Sequence, residues 1–440
     1  MKNLTPDEIL EEIEKIRINN KWLKDEKSQP LNQTEIAALP SIPKDWKWVS
    51  IHELSKFITN GVHTPTSFED SNGYGLHCLR ITDIQNNDDI DYDKLPYCLR
   101  IIEGDYDKKL KKGDIYFSFT GNNLGKRYIV KEDRDDTVFA HYFVRWQPIL
   151  VNPYYIYYVT HSSVYDYFIN GHKLGSSQPN LKVTDLKRFP IPLCDLITQN
   201  KIANILKSID DKISINNRIN NNLFNLVLND FNDFLDKNID AEIVKLEDCV
   251  EKINTGADAI QRAPIVDYDT GIRCIRIGDM TNGRDYHSWG FTKMTDKDFE
   301  NYKLIRNDIV ITRTAVNGLT YMITDEENTV CNNGNIRLRV NKKYNPLYIY
   351  LNTKTNDFRN YIDRINGETS VRPNMKVEYF TNYEIKKIDL EKQNAFCLRA
   401  ETIMKKIQNN KVENYNLEQL RDTLLPKLMN GEIDLDNIEI

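Results

Sequence analysis

Metal and thiol chemistry have little to start from in this sequence. Its 7 cysteines and 7 histidines form no CxxC pair, no HExxH and no zinc-type grouping, so no metal site is expected. Scattered thiols in odd number suit small buried hydrophobes in a reducing compartment, and a cytoplasmic location is expected. No run of about 18 apolar residues occurs, which excludes an expected membrane span. The acidic N-terminus, MKNLTPDEILEEIEK, lacks the apolar segment of a secretory leader. Basic charge is not in excess either. There are 59 Lys and Arg against 65 Asp and Glu, a net charge of −6. That total argues against a general nucleic-acid binder, although local patches decide such binding. No Ser/His/Asp spacing suggests a nucleophile, and no catalytic constellation is found.

What is present is length and repetition. At 440 residues the chain exceeds one hydrophobic core, so two or three domains are expected. Residues 48–61 (WVSIHELSKFITNG) match 243–256 (IVKLEDCVEKINTG), and 75–84 (GLHCLRITDI) match 271–280 (GIRCIRIGDM). Residues 110–120 (LKKGDIYFSFT) match 304–314 (LIRNDIVITRT), and 177–183 (SQPNLKV) match 371–377 (VRPNMKV). A globular-looking stretch of short β-rich runs is therefore duplicated.

Each copy is followed by a long helical pattern. Residues 199–235 carry Ile202, Leu206, Ile209, Ile213, Leu223, Val227 and Phe234 at helical spacing. Residues 393–428 carry Phe396, Ala400, Ile403, Ile407, Leu417, Leu420, Leu424 and Leu428 in the same way. Both stripes are interrupted by Asn-rich turns, NNRINNN (216–222) and NKVENYN (410–416), which place Asn216 and Asn410 in the stripe. Two readings fit. The asparagines sit in a coiled-coil seam and fix its register, or each helix is broken there. Unbroken, about 35 residues at ~1.5 Å each make a rod of ~50 Å. Two lobes held apart by two rods is the expected picture. Ahead of the first lobe, Thr5-Pro6-Asp7-Glu8 reads as a helix start, with Ile9, Ile13, Ile16 and Leu23 as a docking stripe.

Two motifs point elsewhere and are set aside. Gly121-Asn-Asn-Leu-Gly125-Lys126 resembles a phosphate-binding loop but lacks one spacer residue and a following Ser or Thr. It reads better as a turn between strands. Asn152-Pro-Tyr-Tyr155 and Asn345-Pro-Leu-Tyr348 resemble a methyltransferase loop but lack its second proline. Both instead look like helix caps followed by Pro in the first turn.

Taken together, IPKDWKWVSIHEL (42–54), GLHCLRITDI, LKKGDIYFSFTGNNLGK (110–126), SSQPNLKVTDLKRFPIPL (176–193) with Gln199, and LRDTLLPKLMNGEI (420–433) resemble the specificity subunit of a type I restriction–modification enzyme. The resemblance implies an α+β fold, with two repeated α/β target-recognition domains separated by two long antiparallel helices forming a coiled-coil spacer. The corresponding divisions are 1–45 (N-terminal helix and linker), 46–196 (first domain), 197–238 (central helix), 239–390 (second domain), 391–430 (C-terminal helix) and 431–440 (tail). The implied partners are double-stranded DNA, two methylase subunits docked on the helices, and restriction subunits through them. No cofactor and no catalytic residue are implied. The second lobe departs from the pattern with Asn307 in place of glycine (Gly113 in the first) and TAVNG (314–318) in place of TGNNLGK.

Reading DNA needs Arg or Lys for guanine, Asn or Gln for adenine, and hydroxyls and cations for phosphates. The loops of the first lobe supply His63, Thr64, Thr120, Asn122, Asn123, Lys126, Arg127, Gln178 and Asn180. Those of the second supply Arg262, Arg284, Arg313, Thr314, Asn317, Arg372 and Asn374. The expected function is DNA recognition in a type I complex, without catalysis. The alternatives are a stand-alone, repressor-like DNA-binding protein and a methyltransferase or nuclease.

Overall fold

Each half of the repeat builds the same four-stranded antiparallel sheet. In the first the spatial order is Ser55–Asn60, Phe143–Pro148, Ile115–Ser118, Arg127–Ile129. In the second it is Val250–Thr255, Asn335–Val340, Ile309–Thr312, Thr320–Met322. The structure is a computed structural model that describes residues 3–19, 30–69, 75–84, 90–173, 181–324, 328–368 and 374–435. The central runs Ile115–Phe117 and Ile309–Ile311 are buried along their whole length, which is why they read as continuous apolar strands. The turn before each needs left-handed backbone. Gly113 has φ +85° and Asn307 has φ +71°. Asn tolerates that region better than most side chains, so the Gly-to-Asn departure preserves the turn. Gly113 N–H donates to Val130 O at 2.9 Å and Asn307 N–H to Ile323 O at 2.8 Å.

The correspondence extends to the polar interior, where each equivalent aspartate meets an arginine, although from strand positions two residues apart, since Gln147, which donates to Asp114 at 2.8 Å, stands where Arg339 stands. Arg145 Nε lies 2.7 Å from Asp114 Oδ2, and Arg339 Nη2 lies 2.7 Å from Asp308 Oδ2. The main-chain N–H of Asn152 donates to Gln199 Oε1 at 2.9 Å, and that of Asn345 to Gln393 Oε1 at 2.8 Å. Asn152 Oδ1 caps the helix Pro153–Val159, accepting from Tyr154 and Tyr155 N–H. Asn345 Oδ1 caps Pro346–Asn352. The motifs that resemble a methyltransferase loop therefore cap helices. The helix expected after Asn152 stops at Val159 and a second runs Ser163–Lys173. A second sheet in each domain pairs parallel strands, His77–Leu79 with Thr137–Phe139 and Arg273–Ile275 with Thr329–Cys331. All seven cysteines are buried and unpaired.

The chain forms two compact units, 1–214 with 416–440, and 215–415. In the first unit, Ile9 and Ile13 of the helix Pro6–Asn19 join a core with Trp146, Ile202, Leu206, Leu425 and Leu428. Thr5 and Glu8 cap that helix reciprocally, as their spacing predicts. Leu23 lies outside the described residues. In the second unit, Val227, Phe231, Phe396, Cys397 and Ala400 close over the second sheet.

The long helices are continuous, Leu196–Asp236 and Leu390–Met429. The Asn-rich segments are therefore seam and not breaks. In the second unit Asn216 Nδ2 donates to Asn414 Oδ1 at 2.8 Å, and Asn410 Nδ2 to Asn220 Oδ1 at 2.8 Å. The pairing is reciprocal and antiparallel. All four asparagines are buried. Ile202, Leu206, Ile209, Ile213, Val227, Phe396, Ile407 and Leu428 are buried as their spacing predicts, and Leu223, Ile403, Leu417 and Leu424 are half-buried. Leu420 is a correction, being 47% exposed. Arg421 next to it takes the inward place, 2.9 Å from Asp210. No helix among the described residues is long and apolar enough to cross a membrane.

Candidate nucleic-acid interface

At one edge of the second domain two backbone segments cross at close range. Ala257 N–H donates to Cys331 O at 2.8 Å, and Asn333 N–H donates to Ala257 O at 2.7 Å. Gly256 makes the approach possible, because a Cβ there would lie 2.2 Å from Cys331 O. Loop residues collect around this crossing. Asp258 Oδ1 accepts from the N–H of Ile260 and Gln261 at 2.9 and 2.8 Å, an Asx-type turn. Asn333 Nδ2 donates to Asp258 Oδ2 at 3.3 Å. Arg313 Nη1 donates to Asn333 O at 3.2 Å and its Nε to Met375 O at 2.9 Å. Burial holds the Arg313 guanidinium below its ordinary pKa. Thr314 bridges Asn374 through the main chain.

Several residues expected to read DNA are thus neighbours here. Arg313, Thr314 and Asn374 share the crossing, and Arg262 reaches it through its N–H bond to Asp258 O. The exposed Arg262 guanidinium is steadied by Tyr302 Oη at 2.6 Å. Asn317 lies on the same loop as Thr314 and donates to Asn366 Oδ1 at 2.8 Å. Arg284 is elsewhere, 3.4 Å from Asp279 and next to Asp285, which pairs with Lys411 of the C-terminal helix. Arg372 lies outside the described residues.

The first domain makes the same crossing. Val62 N–H donates to Phe139 O at 2.8 Å and His141 N–H to Val62 O at 2.9 Å. Gly61 stands where Gly256 stands, with a Cβ 2.3 Å from Ala140 O. His63 stacks on His141 with ring centroids 4.0 Å apart, and His141 meets Tyr142 at 3.8 Å. Burial, and then the charge of His63, hold His141 below the usual imidazole range. Thr64 Oγ1 accepts from Arg100 N–H at 3.0 Å. Thr120 opens the short turn Gly121–Asn123 between two strands, so the loop resembling a phosphate binder is a strand connection. Asn123 O accepts from Lys126 N–H at 3.0 Å, and the Lys126 side chain is exposed.

Arg127 is not grouped with these residues. Its guanidinium lies over the Tyr165 ring at 5.2 Å. It lines a cavity of about 450 Å³ with Tyr158, His161, Asp210 and Arg421. Gln178 and Asn180 lie outside the described residues, as does the side chain of Asn122.

Sequence reasoning missed His141, Tyr142, Asp258 and Asn333. They follow FA (139–140) in one repeat and CN (331–332) in the other, or come just after Gly256-Ala257. These stretches share almost no letters, and only the backbone bonds reveal their equivalence. The arrangement is a polar, partly cationic edge with exposed rings and amides. It suits contacts to base edges and phosphates.

Comparison with known proteins follows the same line. The family described as "Type I restriction modification DNA specificity domain" matches residues 43–225. A putative type I restriction enzyme specificity subunit, MjaX, of Methanocaldococcus jannaschii is 30% identical over 198 residues, 44% of this chain and 45% of that protein. The MjaIX specificity subunit of the same organism is 26% identical over 323 residues, 64% of this chain and 70% of its own. The HindI specificity subunit of Haemophilus influenzae is 22% identical and covered in full, against 88% of this chain. The chain therefore spans less than half of the first of these relatives. A type I restriction–modification S subunit from M. genitalium superposes with a TM-score of 0.49 at 15% identity, over 89% of this chain and 97% of that one.

Proposed function

We propose, from its similarity to type I restriction–modification specificity subunits, that this chain is one of them and recognises a bipartite duplex DNA target. Each repeated domain reads one half. The chain makes and breaks no bond. It positions an adenine methylase, since chemistry on a base needs that base drawn out of the stack by the enzyme that modifies it. Two methylase subunits dock on the long helices, and restriction subunits act through them.

One observation carries this reading. A whole unit of sheet, capped helix and long helix is repeated, down to the Gln147–Asp114 and Arg339–Asp308 bonds at equivalent strand positions and the Gln199 and Gln393 anchors. The side chains at the crossing nevertheless differ between the copies. The helices also keep apolar groups beyond those they bury. In the second unit these include Ile215, Ile219 and Leu226 on one helix and Leu398 and Val412 on the other. A surface of that kind favours a partner. The stand-alone repressor reading finds no support in the relatives named above, which are specificity subunits of restriction enzymes.

The purified chain is expected to bind no labelled S-adenosylmethionine and to methylate no DNA until its methylase is added. Methyl transfer by the chain alone would end the proposal. Failure to co-purify with the methylase would favour an independent binder.

A further inference from the structure

We propose that His141, with His63 and Tyr142, and Asn333, held by Asp258, are the side chains that choose bases in the two half-sites. This rests on the function proposed above and names the residues through which it acts. The argument comes from what the two crossings share and what they do not.

They share the backbone. The residue after each glycine donates across the crossing, Val62 to Phe139 O and Ala257 to Cys331 O, and receives a bond in return from His141 and Asn333 N–H. The glycines admit no Cβ, with carbonyl oxygens 2.3 and 2.2 Å from where one would sit. The position and direction of the next Cα are therefore set by the same bonds in both domains. What hangs on that fixed frame differs. Where the first domain presents His63, His141 and Tyr142, the second presents Asp258, Asn333 and Gly334. A purely structural crossing would not require a change of chemistry at the positions its frame holds out.

The chemistry in each copy fits a base edge. The Asp258 carboxylate is filled by Ile260 N–H, Gln261 N–H and Asn333 Nδ2. Asp258 is thus a positioning residue, and it orients an amide with a further N–H and an oxygen to offer. An amide presented in this way matches the donor and acceptor pair on adenine. The same turn leaves the Ile260 side chain 84% exposed beside it, an apolar group suited to a thymine methyl. In the first domain, three rings stack at 4.0 and 3.8 Å, and Tyr142 is 51% exposed. Imidazole N–H and phenol O–H are donors, which suits the paired acceptors of guanine.

The test uses the full chain assembled with its methylase and a randomised duplex library, with the methylated sequences read out. His141→Ala is expected to relax one or two base positions of one half-site by about tenfold or more, leaving the other half-site unchanged. Asn333→Ala is expected to do the same in the other half-site only. If His141→Ala melts out, His141→Gln carries the test, since it fills more of the ring's place with a polar side chain, and the main-chain bond to Val62 is kept in both. Variants that methylate the wild-type sequence with unchanged selectivity would overturn the inference. So would a uniform loss across both half-sites, which marks phosphate contact or folding. Absence of any two-part motif with the wild-type chain would overturn the proposed function, and this inference with it.

Discussion

Buried charge and buried imidazole set the sharpest expectations for single residues. Asp114 is wholly buried against Arg145. Burial outweighs the arginine and raises the carboxyl pKa to about 6. Arg145→Met strands that carboxylate and is expected to cost about 3–5 kcal/mol in urea unfolding. Adding Asp114→Asn should recover part of the loss. His161 is the pH-sensitive case. Burial, and then the charge of Arg127, lower its pKa to about 3, and its Nδ1 lies 2.9 Å from Tyr157 O. The folded value lies below the unfolded value of about 6.5, so the unfolded chain takes up the proton first as pH falls. His161 therefore contributes nothing pH-dependent above about 6.5. Below it, stability is lost at about 1.4 kcal/mol per pH unit towards pH 3. Denaturant unfolding of wild type and His161→Gln at pH 7, 6 and 5 is expected to show this extra slope only in the wild type. At this scale the sequence was partly legible. Asp114 and Asp308 stood out within repeated letters. Their arginines did not, because β-pairing between distant strands brings them there. The sequence likewise offered Arg127 as a DNA contact, and no local pattern reveals that it lies over Tyr165 and lines a cavity, apart from the other candidates.

At the scale of elements, the helix seam and the glycine crossing each make a prediction. Asn410→Ala removes the donor to Asn220 Oδ1 in a buried seam. It is expected to cost about 1–3 kcal/mol by thermal or chemical unfolding. Replacing both Asn220 and Asn410 by Leu should raise the melting midpoint above wild type, since no polar atom is then left unpaired. Gly256→Ala places a Cβ 2.2 Å from a carbonyl oxygen. It should destabilise by more than about 2 kcal/mol, because backbone and not a flexible side chain stands in the way. The long helices were legible from spacing alone. Whether their asparagines broke them was not, since Asn-rich runs suit turns as well as seams. The reciprocal bonds between Asn216 and Asn414 and between Asn410 and Asn220 settle it. The short strands were placed well where apolar runs repeat, at Ile115–Ser118 and Ile309–Thr312. Nothing in the apolar pattern after Asn152 announces the stop at Thr160 between the helices Pro153–Val159 and Ser163–Lys173.

For the whole molecule, the duplication fixed the expected architecture, because a shared order of motifs survives where individual letters diverge. The proposed recognition residues were the least legible, for the same reason turned round. A reader's side chains differ between copies by design of the task, so repetition cannot find them. Exchanging the second repeat for another copy of the first is expected to give a target containing the same half-site twice, read from library selection. With a net charge of −6, DNA binding by the chain alone is expected to be modest, with a salt dependence set by the cations at the interface. The most direct measurement is a map of methylated adenines across the host genome with and without this gene. The account predicts a two-part motif with an unread gap that disappears when the gene is deleted and returns when it is restored. Persistence of that motif without the gene, or dependence of only a single continuous motif on it, would contradict the account.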